Sequence, residues 1–163
     1  MTIPEVNQLS DETFVLRFGG IFEHSPWVAE AAATLRPFDS LEALHSTMCD
    51  AVRASGVERQ VALIAAHPDL VGNAVLTAES TREQAAAGLG SLSADEVHIF
   101  RTSNASYRTK FDFPFVICAR NNKKETILEA FPRRLQNSRE EEIQNALAEI
   151  YQIARLRLED LIV

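Results

Sequence analysis

Three helix-start signals constrain this chain more than any other feature of its sequence. Ser80, Ser93 and Ser138 are each followed three residues later by a glutamate, which is the pattern of a capping box. In a capping box the two side chains pair with backbone N–H groups that the first turn of a helix leaves unsatisfied. The signals predict helices of about one to two, four to five and six to seven turns, respectively.

Further boundary signals lie in the first third of the chain. Ser10 is predicted to cap a helix that ends at the Gly19–Gly20 pair. Ser40 is predicted to cap another helix, which Gly56 closes.

Two prolines mark the remaining helix ends of this region. Ser25, with Pro26 at the first helical position, is predicted to open a short helix. A further helix is predicted from about Glu58 to His67, because Pro68 disfavours the helical conformation of the residue before it.

Residues 113–119, FPFVICA, have the composition of a strand. No second stretch of this kind is present to pair with them, so we expect a buried extended segment instead of a sheet. The fold is therefore predicted to be all-α. We expect a single domain over residues 1–163, built as a helical bundle of about seven or more helices with one extended apolar segment.

Composition narrows the function classes. Hydrophobic residues make up 46% of the 163 residues and the net charge is −7, which indicates a globular domain and argues against nucleic-acid binding. No apolar run is long enough to span a membrane, and the N-terminus does not resemble a signal peptide. Cys49 and Cys118 lack a CxxC spacing, so we expect a reducing, cytoplasmic location. No metal-binding spacing is visible, and no metal site is predicted.

The last predicted helix carries an arginine on its apolar face. That face is defined by residues recurring at intervals of three or four: Ile143, Leu147, Ile150, Ala154 and Leu161. Arg157 lies on the same face, whereas Arg155 lies near its edge. A buried arginine needs acceptors, so Arg157 is either part of a structural ion pair or an anchor for a ligand.

Three candidate side chains lie on the end of the fourth predicted helix and in the first turn of the next. His67 is either a helix-terminal histidine or a catalytic one. Glu83 either completes the capping box of Ser80 or has a chemical role. Gln84, one residue later, is not part of the capping box. A short connection containing Gly72 and Asn73 joins the two helix ends. These residues alone leave an enzyme and a helical binding module both open.

A family resemblance decides between these alternatives. The chain is similar to the ureidoimidazoline decarboxylase family of uric acid catabolism over most of its length, in the family's order and spacing. The matching segments are FGGIFEHSPW (18–27), HPDL (67–70), LTAESTREQAAAGL (76–89), SLSADE (91–96), NASYRTKFDFPFVICAR (104–120) and IARLRLEDL (153–161). The chain departs from the family at Asp112, where a glycine is usual, and we expect an effect on the turn before Phe113.

The resemblance implies an all-helical, usually dimeric enzyme that needs no cofactor. Its members convert 2-oxo-4-hydroxy-4-carboxy-5-ureidoimidazoline (OHCU) to (S)-allantoin. By the resemblance, His67 is the general acid/base, Glu83 orients or polarises the substrate hydroxyl, and Arg157 binds anionic or carbonyl oxygens.

The resemblance also implies a set of substrate-binding groups. These are Pro68, Ser80, Gln84 and backbone groups of Phe115, Val116 and Ile117. Two rival classes are a different enzyme for a related ureido compound and a non-catalytic helical adaptor. A product assay would distinguish a different ureido-compound enzyme from an OHCU decarboxylase. An exposed apolar groove would favour the non-catalytic adaptor.

Overall fold

The computed structural model describes residues 1–72 and 75–163, and the chain forms two compact units. Unit 1 consists of Met1–Ala66 and Tyr151–Val163, and unit 2 of His67–Ile150. Within the described residues there are nine α-helices, one short 3₁₀ helix and no strand, so the prediction of an all-α fold is confirmed. That the two units act as a single domain stays a prediction.

The helices follow one another with short connections. Unit 1 contains α1 (Ile3–Asn7), α2 (Asp11–Phe18), α3 (Trp27–Ala33), α4 (Leu41–Ala54) and α5 (Val57–Ala65). Unit 2 contains α6 (Ala78–Ala86), α7 (Ala94–Phe111), the 3₁₀ helix (Ala119–Asn121) and α8 (Lys124–Arg134). The last helix, α9 (Arg139–Leu161), begins in unit 2, and its residues from Tyr151 onward belong to unit 1.

Both capping boxes at the starts of the longest helices are confirmed. The N–H of Ser93 donates to Glu96 at 3.1 Å and the N–H of Glu96 donates back to the Ser93 hydroxyl at 3.1 Å. Ser138 and Glu141 make the same reciprocal pair, at 3.0 and 3.1 Å. The helices that follow contain 18 and 23 residues, close to the predicted numbers of turns.

Two of the three serine caps predicted in unit 1 are present. The Ser10 and Ser40 hydroxyls each accept a hydrogen bond from the backbone N–H three residues later, at 3.2 and 3.1 Å. The cap predicted at Ser25 is wrong: α3 begins at Trp27 and its start has no side-chain cap. The Ser25 hydroxyl is buried and donates to the carbonyl of Glu23 at 2.9 Å, so it is engaged by the preceding turn.

Two helices, α1 and α8, begin at positions for which no start signal was predicted from the sequence. The single turn of α1 starts with a reciprocal pair between Thr2 and Glu5, a capping box built on threonine. The start of α8 has no side-chain cap at Lys123, so no local pattern marks it.

Each unit has its own aromatic core. In unit 1 the rings of Phe14 and Phe18 lie 4.7 Å apart. In unit 2 the rings of Phe115 and Phe131 stack at 4.0 Å, and the edge of Tyr107 meets Phe115 at 5.3 Å. Burial of several large rings on a short stretch of chain supplies much of the driving force for folding of unit 2.

Both cysteines are free and buried. Burial raises the pKa of the Cys49 thiol to about 11. Within the described ranges, no helix has the length and apolar character required to cross a membrane.

Candidate functional site

His67 lies in the first turn of unit 2, just after helix α5. The helix ends at Ala65, two residues earlier than predicted, and Pro68 accounts for a break at this point. The His67 side chain is buried, with 7% of its surface exposed. An imidazole in this position is shielded from bulk water.

The turn after His67 is held by three side chains. The amide of Asn104, on α7, donates to the carbonyl of Leu70 at 2.7 Å. The Val71 N–H donates to the Gln84 amide oxygen, on α6, at 3.3 Å. Arg108, one helical turn after Asn104, forms an ion pair with Asp69 at 3.1 Å. The turn thus has anchors on both of the helices that follow it.

Val71 adopts a left-handed backbone conformation, with φ of +56°. This conformation is unfavourable for a β-branched residue and costs about 1–3 kcal/mol. Gly72 follows, where an added Cβ would lie only 3.1 Å from the Cβ and carbonyl oxygen of Asp69. Asn73, named with Gly72 as part of the connection, lies outside the described residues.

Helix α6 begins three residues earlier than the sequence pattern suggested. Its cap is Thr77, whose hydroxyl accepts from the Ser80 N–H at 3.1 Å, so the prediction that Ser80 caps this helix is wrong. Threonine and serine compete as caps here, and the earlier one gains an additional helical turn. Glu83 and Gln84 consequently lie in the second turn of α6, where neither can act in a capping box.

This shift removes the capping-box interpretation of Glu83. The carboxylate is partly buried and belongs to the same unit as His67. Helix α6 packs against the 3₁₀ helix that follows the apolar segment. Burial is the main cause that raises the pKa of the Cys118 thiol, and the carboxylates of Glu149 and Glu83 raise it further. The charge of Glu83 is therefore within electrostatic range of the end of the apolar segment.

The apolar segment is buried as predicted. Residues 113–118 are assigned to neither helix nor strand, and all of them are buried. The Val116 carbonyl accepts from Arg134 at 2.6 Å, and the Cys118 N–H donates to Glu149 at 3.2 Å.

Phe115 and Ile117 differ from these neighbours. Throughout residues 1–72 and 75–163, no hydrogen-bond partner is found for the backbone of either residue. Buried backbone groups are almost always paired, so these two positions stand out within the segment.

Arg157 is buried in unit 1, as its place in the sequence predicted. Its guanidinium lies 2.9 Å from the carboxylate of Glu23, and the two side chains are 4% and 1% exposed. The same nitrogen donates to the carbonyl of Gly20 at 3.2 Å. An ion pair is therefore present, and a guanidinium, with its five N–H donors, can bond several acceptors at once.

The face of α9 is largely as predicted, with one error. The buried positions include Ile143, Leu147, Ile150 and Ala154, but Leu161 is 44% exposed and Leu158 is fully buried in its place. The helix ends at Leu161, and the next residue, Ile162, is buried. Arg155 is partly exposed and pairs with Glu42 and Glu159, which agrees with its predicted place at the edge.

The structure thus places most of the candidate residues in unit 2 and one in unit 1. The unit 2 residues are His67, Pro68, Ser80, Glu83, Gln84, Phe115, Val116 and Ile117, and the unit 1 residue is Arg157. Sequence reasoning missed Asn104, Arg134 and Glu23. Glu23 and Asn104 lie in segments of the family resemblance and Arg134 lies outside them, and each is singled out only by a partner distant in the sequence.

No group of three or more His, Cys, Asp or Glu side chains in the described part of the chain is arranged to hold a metal ion. The polar groups at the His67 turn are an imidazole, two amides, and the Asp69 carboxylate paired with the Arg108 guanidinium. Such groups transfer protons and bind the amide-like and carbonyl groups of a small polar molecule.

Comparisons with known proteins agree with this inventory. The model of the OHCU decarboxylase family matches residues 7–159. The 2-oxo-4-hydroxy-4-carboxy-5-ureidoimidazoline decarboxylase of Haloferax volcanii is 44% identical, covering 97% of this chain and 94% of that protein. The uric acid degradation bifunctional protein PucL of Bacillus subtilis is also 44% identical, over 99% of this chain but only 33% of its own length.

Two solved structures share the fold. A crystal structure of (S)-allantoin synthase has a TM-score of 0.84 and 30% identity, covering 100% of this chain and 54% of that one. A crystal structure of OHCU decarboxylase in the presence of (S)-allantoin has a TM-score of 0.74 and 23% identity, covering 94% and 98%. Since the family model spans most of the chain and the Haloferax relative matches nearly all of it, this chain belongs to the OHCU decarboxylase family.

Proposed function

We propose that this protein decarboxylates OHCU to (S)-allantoin in urate degradation, with His67 as the general acid/base. The observation that carries the activity is the match to an OHCU decarboxylase over 97% of this chain and 94% of the relative. The role of His67 is supported by its burial and by the carboxylate-bearing helix α6 in the same unit.

The substrate itself provides the path for the electrons. When the bond between the ring carbon and the carboxylate breaks, CO₂ leaves and the electron pair moves toward the adjacent ring C=N bond. The nitrogen of that bond takes up a proton, which leaves an enol. The enol loses its hydroxyl proton while the neighbouring ring carbon gains a proton, and the face of addition sets the (S) configuration. No external electron sink is required, so we propose a reaction without a cofactor.

The protein must then move protons and hold the ring. His67 supplies the proton to the ring carbon, because an imidazole has an ordinary pKa close to neutral pH. Glu83 orients the substrate hydroxyl and accepts its proton. This assignment is supported by the position of Glu83 in the second turn of α6, where no capping duty accounts for it.

Ser80, Gln84 and Pro68 are proposed to contact the ring and the ureido group. The backbone groups of Phe115 and Ile117 are suited to the amide-like edges of such a compound, with Val116 held between them by its bond to Arg134. The carbonyl of Gln84 already accepts from Val71, so its NH₂ group is the part that would bond a substrate.

Arg157 is proposed to bind a carboxylate or carbonyl oxygen of the substrate. Its pairing with Glu23 fixes the guanidinium, a planar group that can bind two oxygens at once. We further propose that the protein acts in the cytoplasm as a homodimer, as the resemblance implies.

The test is to generate OHCU in the cuvette from urate with urate oxidase and hydroxyisourate hydrolase. After this protein is added, circular dichroism follows the appearance of allantoin, whose (S) enantiomer gives a signal of defined sign. Rapid formation of (S)-allantoin with release of CO₂ is expected. A racemic product formed at the spontaneous rate, or a different ureido product, would overturn the proposal.

A further inference from the structure

We propose that Asn104 is a positioning residue that acts with Gln84 to hold the peptide group between Leu70 and Val71. By holding this group it fixes the turn that carries His67. The inference rests on the proposed role of His67 and adds a residue to it, on a different helix from any candidate considered so far.

The two amide side chains form hydrogen bonds with both polar atoms of one peptide group. Asn104 donates to the carbonyl of Leu70 at 2.7 Å, and Gln84 accepts from the N–H of Val71 at 3.3 Å. These two atoms belong to the same peptide bond, which is planar and moves as one body. Held at both ends, the peptide cannot rotate without breaking a hydrogen bond.

Without these two hydrogen bonds, the strained backbone of Val71 would favour rotation of this peptide. Its φ of +56° lies in the left-handed region, where a β-branched side chain is strained. Relaxation to a negative φ would turn the Leu70–Val71 peptide and displace the turn. The two hydrogen bonds therefore maintain a conformation that the local sequence disfavours, as is common beside functional groups.

The surroundings of Asn104 also point to a role beyond folding. The residue is buried, with 6% of its surface exposed, and its side-chain oxygen has no hydrogen-bond partner among the described residues. A buried polar atom without a partner opposes folding, so the unpaired oxygen is a cost that the hydrogen bond from the NH₂ group to Leu70 must offset. Asparagine differs from an apolar side chain at this position by the hydrogen bond that its NH₂ group donates to the Leu70 carbonyl.

The restraint is transmitted over a short and stiff piece of chain. Pro68 has a fixed φ, and the next residue, Asp69, is paired with Arg108 on the same helix as Asn104. Helix α7 therefore contacts the turn at two points one helical turn apart. A shift of the peptide at Leu70 is expected to reach His67, because Pro68 and the Asp69–Arg108 pair restrict the intervening residues.

The experiment compares Asn104→Ala with the double variant Asn104→Ala/Val71→Gly. Glycine adopts a positive φ without strain, so the double variant no longer needs the asparagine to hold the turn. Phe100→Leu is the matched control, since Phe100 is also buried on α7 and its truncation lowers stability without touching the turn. The readouts are kcat and KM in the OHCU assay, the melting temperature, and the ¹H–¹³C resonances of the His67 imidazole.

We expect Asn104→Ala to lower kcat by about 10- to 100-fold with little change in KM, because a misplaced catalytic group slows the reaction step. Adding Val71→Gly should return most of the lost kcat. The His67 resonances should shift or broaden in the single variant and return in the double variant. Phe100→Leu should keep its kcat and its His67 resonances despite a lower melting temperature.

The positioning role would be overturned if Val71→Gly gave no recovery, or if kcat fell in Phe100→Leu and Asn104→Ala in proportion to their melting temperatures. It would equally be overturned if the His67 resonances were the same in all variants. The spectroscopic readout needs no substrate. An inactive wild-type protein with resonances that respond as expected would therefore contradict the proposed function and leave the positioning role supported.

Discussion

Arg134 and Glu142 form a buried ion pair in unit 2, with the guanidinium 2.7 Å from the carboxylate and side chains only 6% and 0% exposed. The Tyr107 hydroxyl donates to the same carboxylate oxygen at 2.5 Å. Arg134 also donates to the Val116 carbonyl and lies over the ring of Phe115, with its central carbon 4.3 Å from the ring centre. The pair therefore connects the start of α9 to the apolar segment.

Glu142→Gln should be strongly destabilising. The change leaves a guanidinium buried without its counter-charge, and breaking such a pair costs about 3–5 kcal/mol. The free energy of unfolding, measured by urea denaturation at neutral pH, should fall by that amount. Glu159→Gln is the control, because Glu159 pairs with Arg155 at the surface, where solvent screens the charges, and its loss should have little effect.

The same carboxylate should make stability depend on pH. Burial alone would raise the pKa of Glu142, but hydrogen bonds from Asn137, Tyr107 and Asn145 outweigh it and hold the pKa below its ordinary value of 4.5. A group with a lowered folded-state pKa contributes stability that is complete above its unfolded pKa and is lost as the pH falls through the folded one. Below about pH 4.5 the wild type should therefore lose stability more steeply than Glu142→Gln.

His67→Asn should abolish most of the activity and preserve the fold. Asparagine retains some hydrogen bonding but cannot transfer a proton, so kcat should fall by about two or more orders of magnitude. The melting temperature should change little, because histidine near a helix end contributes at most about 2 kcal/mol. A folded variant with near-normal turnover would return His67 to a purely structural role.

Glu83→Gln separates charge from shape. Because α6 is capped by Thr77, the substitution leaves the helix start intact, and the melting temperature should stay the same. If the negative charge takes part in proton transfer, kcat should fall by about 100-fold or more. Thr77→Ala supplies the comparison: it removes the cap and should lower stability by about 1 kcal/mol. Equal losses of stability in the two variants would argue for a structural Glu83.

Arg157→Lys tests the planar donor group. Lysine keeps the positive charge beside Glu23 but loses the fork that binds two oxygens, so a raised KM or a lowered kcat is expected with a modest loss of stability. Arg155→Lys should be silent in both assays because Arg155 is at the protein surface. Similar behaviour of the two variants would show that Arg157 serves only the ion pair.

Asp112→Gly should stabilise the protein. Asp112 ends α7 in the left-handed conformation, with φ of 62°, which a glycine adopts at no cost. The turn before Phe113 is thus formed despite the departure from the family pattern. The gain in unfolding free energy should be about 0.5–1 kcal/mol. Asp39→Gly, at an exposed position with no positive φ, should give no gain in the same denaturation assay.

Local signals explain which parts of this structure could be predicted from its sequence. A capping box such as Ser93 with Glu96 is closed within four residues, so the pattern and the structure coincide. At Thr77 and Ser80 two possible caps stand three residues apart, and the pattern alone favours the wrong one because both are sterically suitable. The burial of Arg157 was predictable because helical periodicity extends over the whole of α9.

The candidate site was predictable only in part, for a related physical reason. His67 follows a recognisable helix end, whereas Glu83 lies in the second turn of a helix whose start was misplaced, and Asn104 is singled out only by a partner 34 positions away in the sequence. Glu23 likewise has its partner at Arg157, near the other end of the chain. No local pattern encodes such a pairing, because it depends on how the chain folds back on itself.

The burial of both thiols has a practical consequence for work with the protein. Thiolate is the form that reacts with alkylating agents and oxidants, and a pKa of about 11 for Cys49 leaves only about one thiol in 10⁴ ionised at pH 7. Cys118 is shifted in the same direction. Neither sulfur is presented at the surface, so we expect thiol-reactive labels and oxidants to react slowly with the native chain.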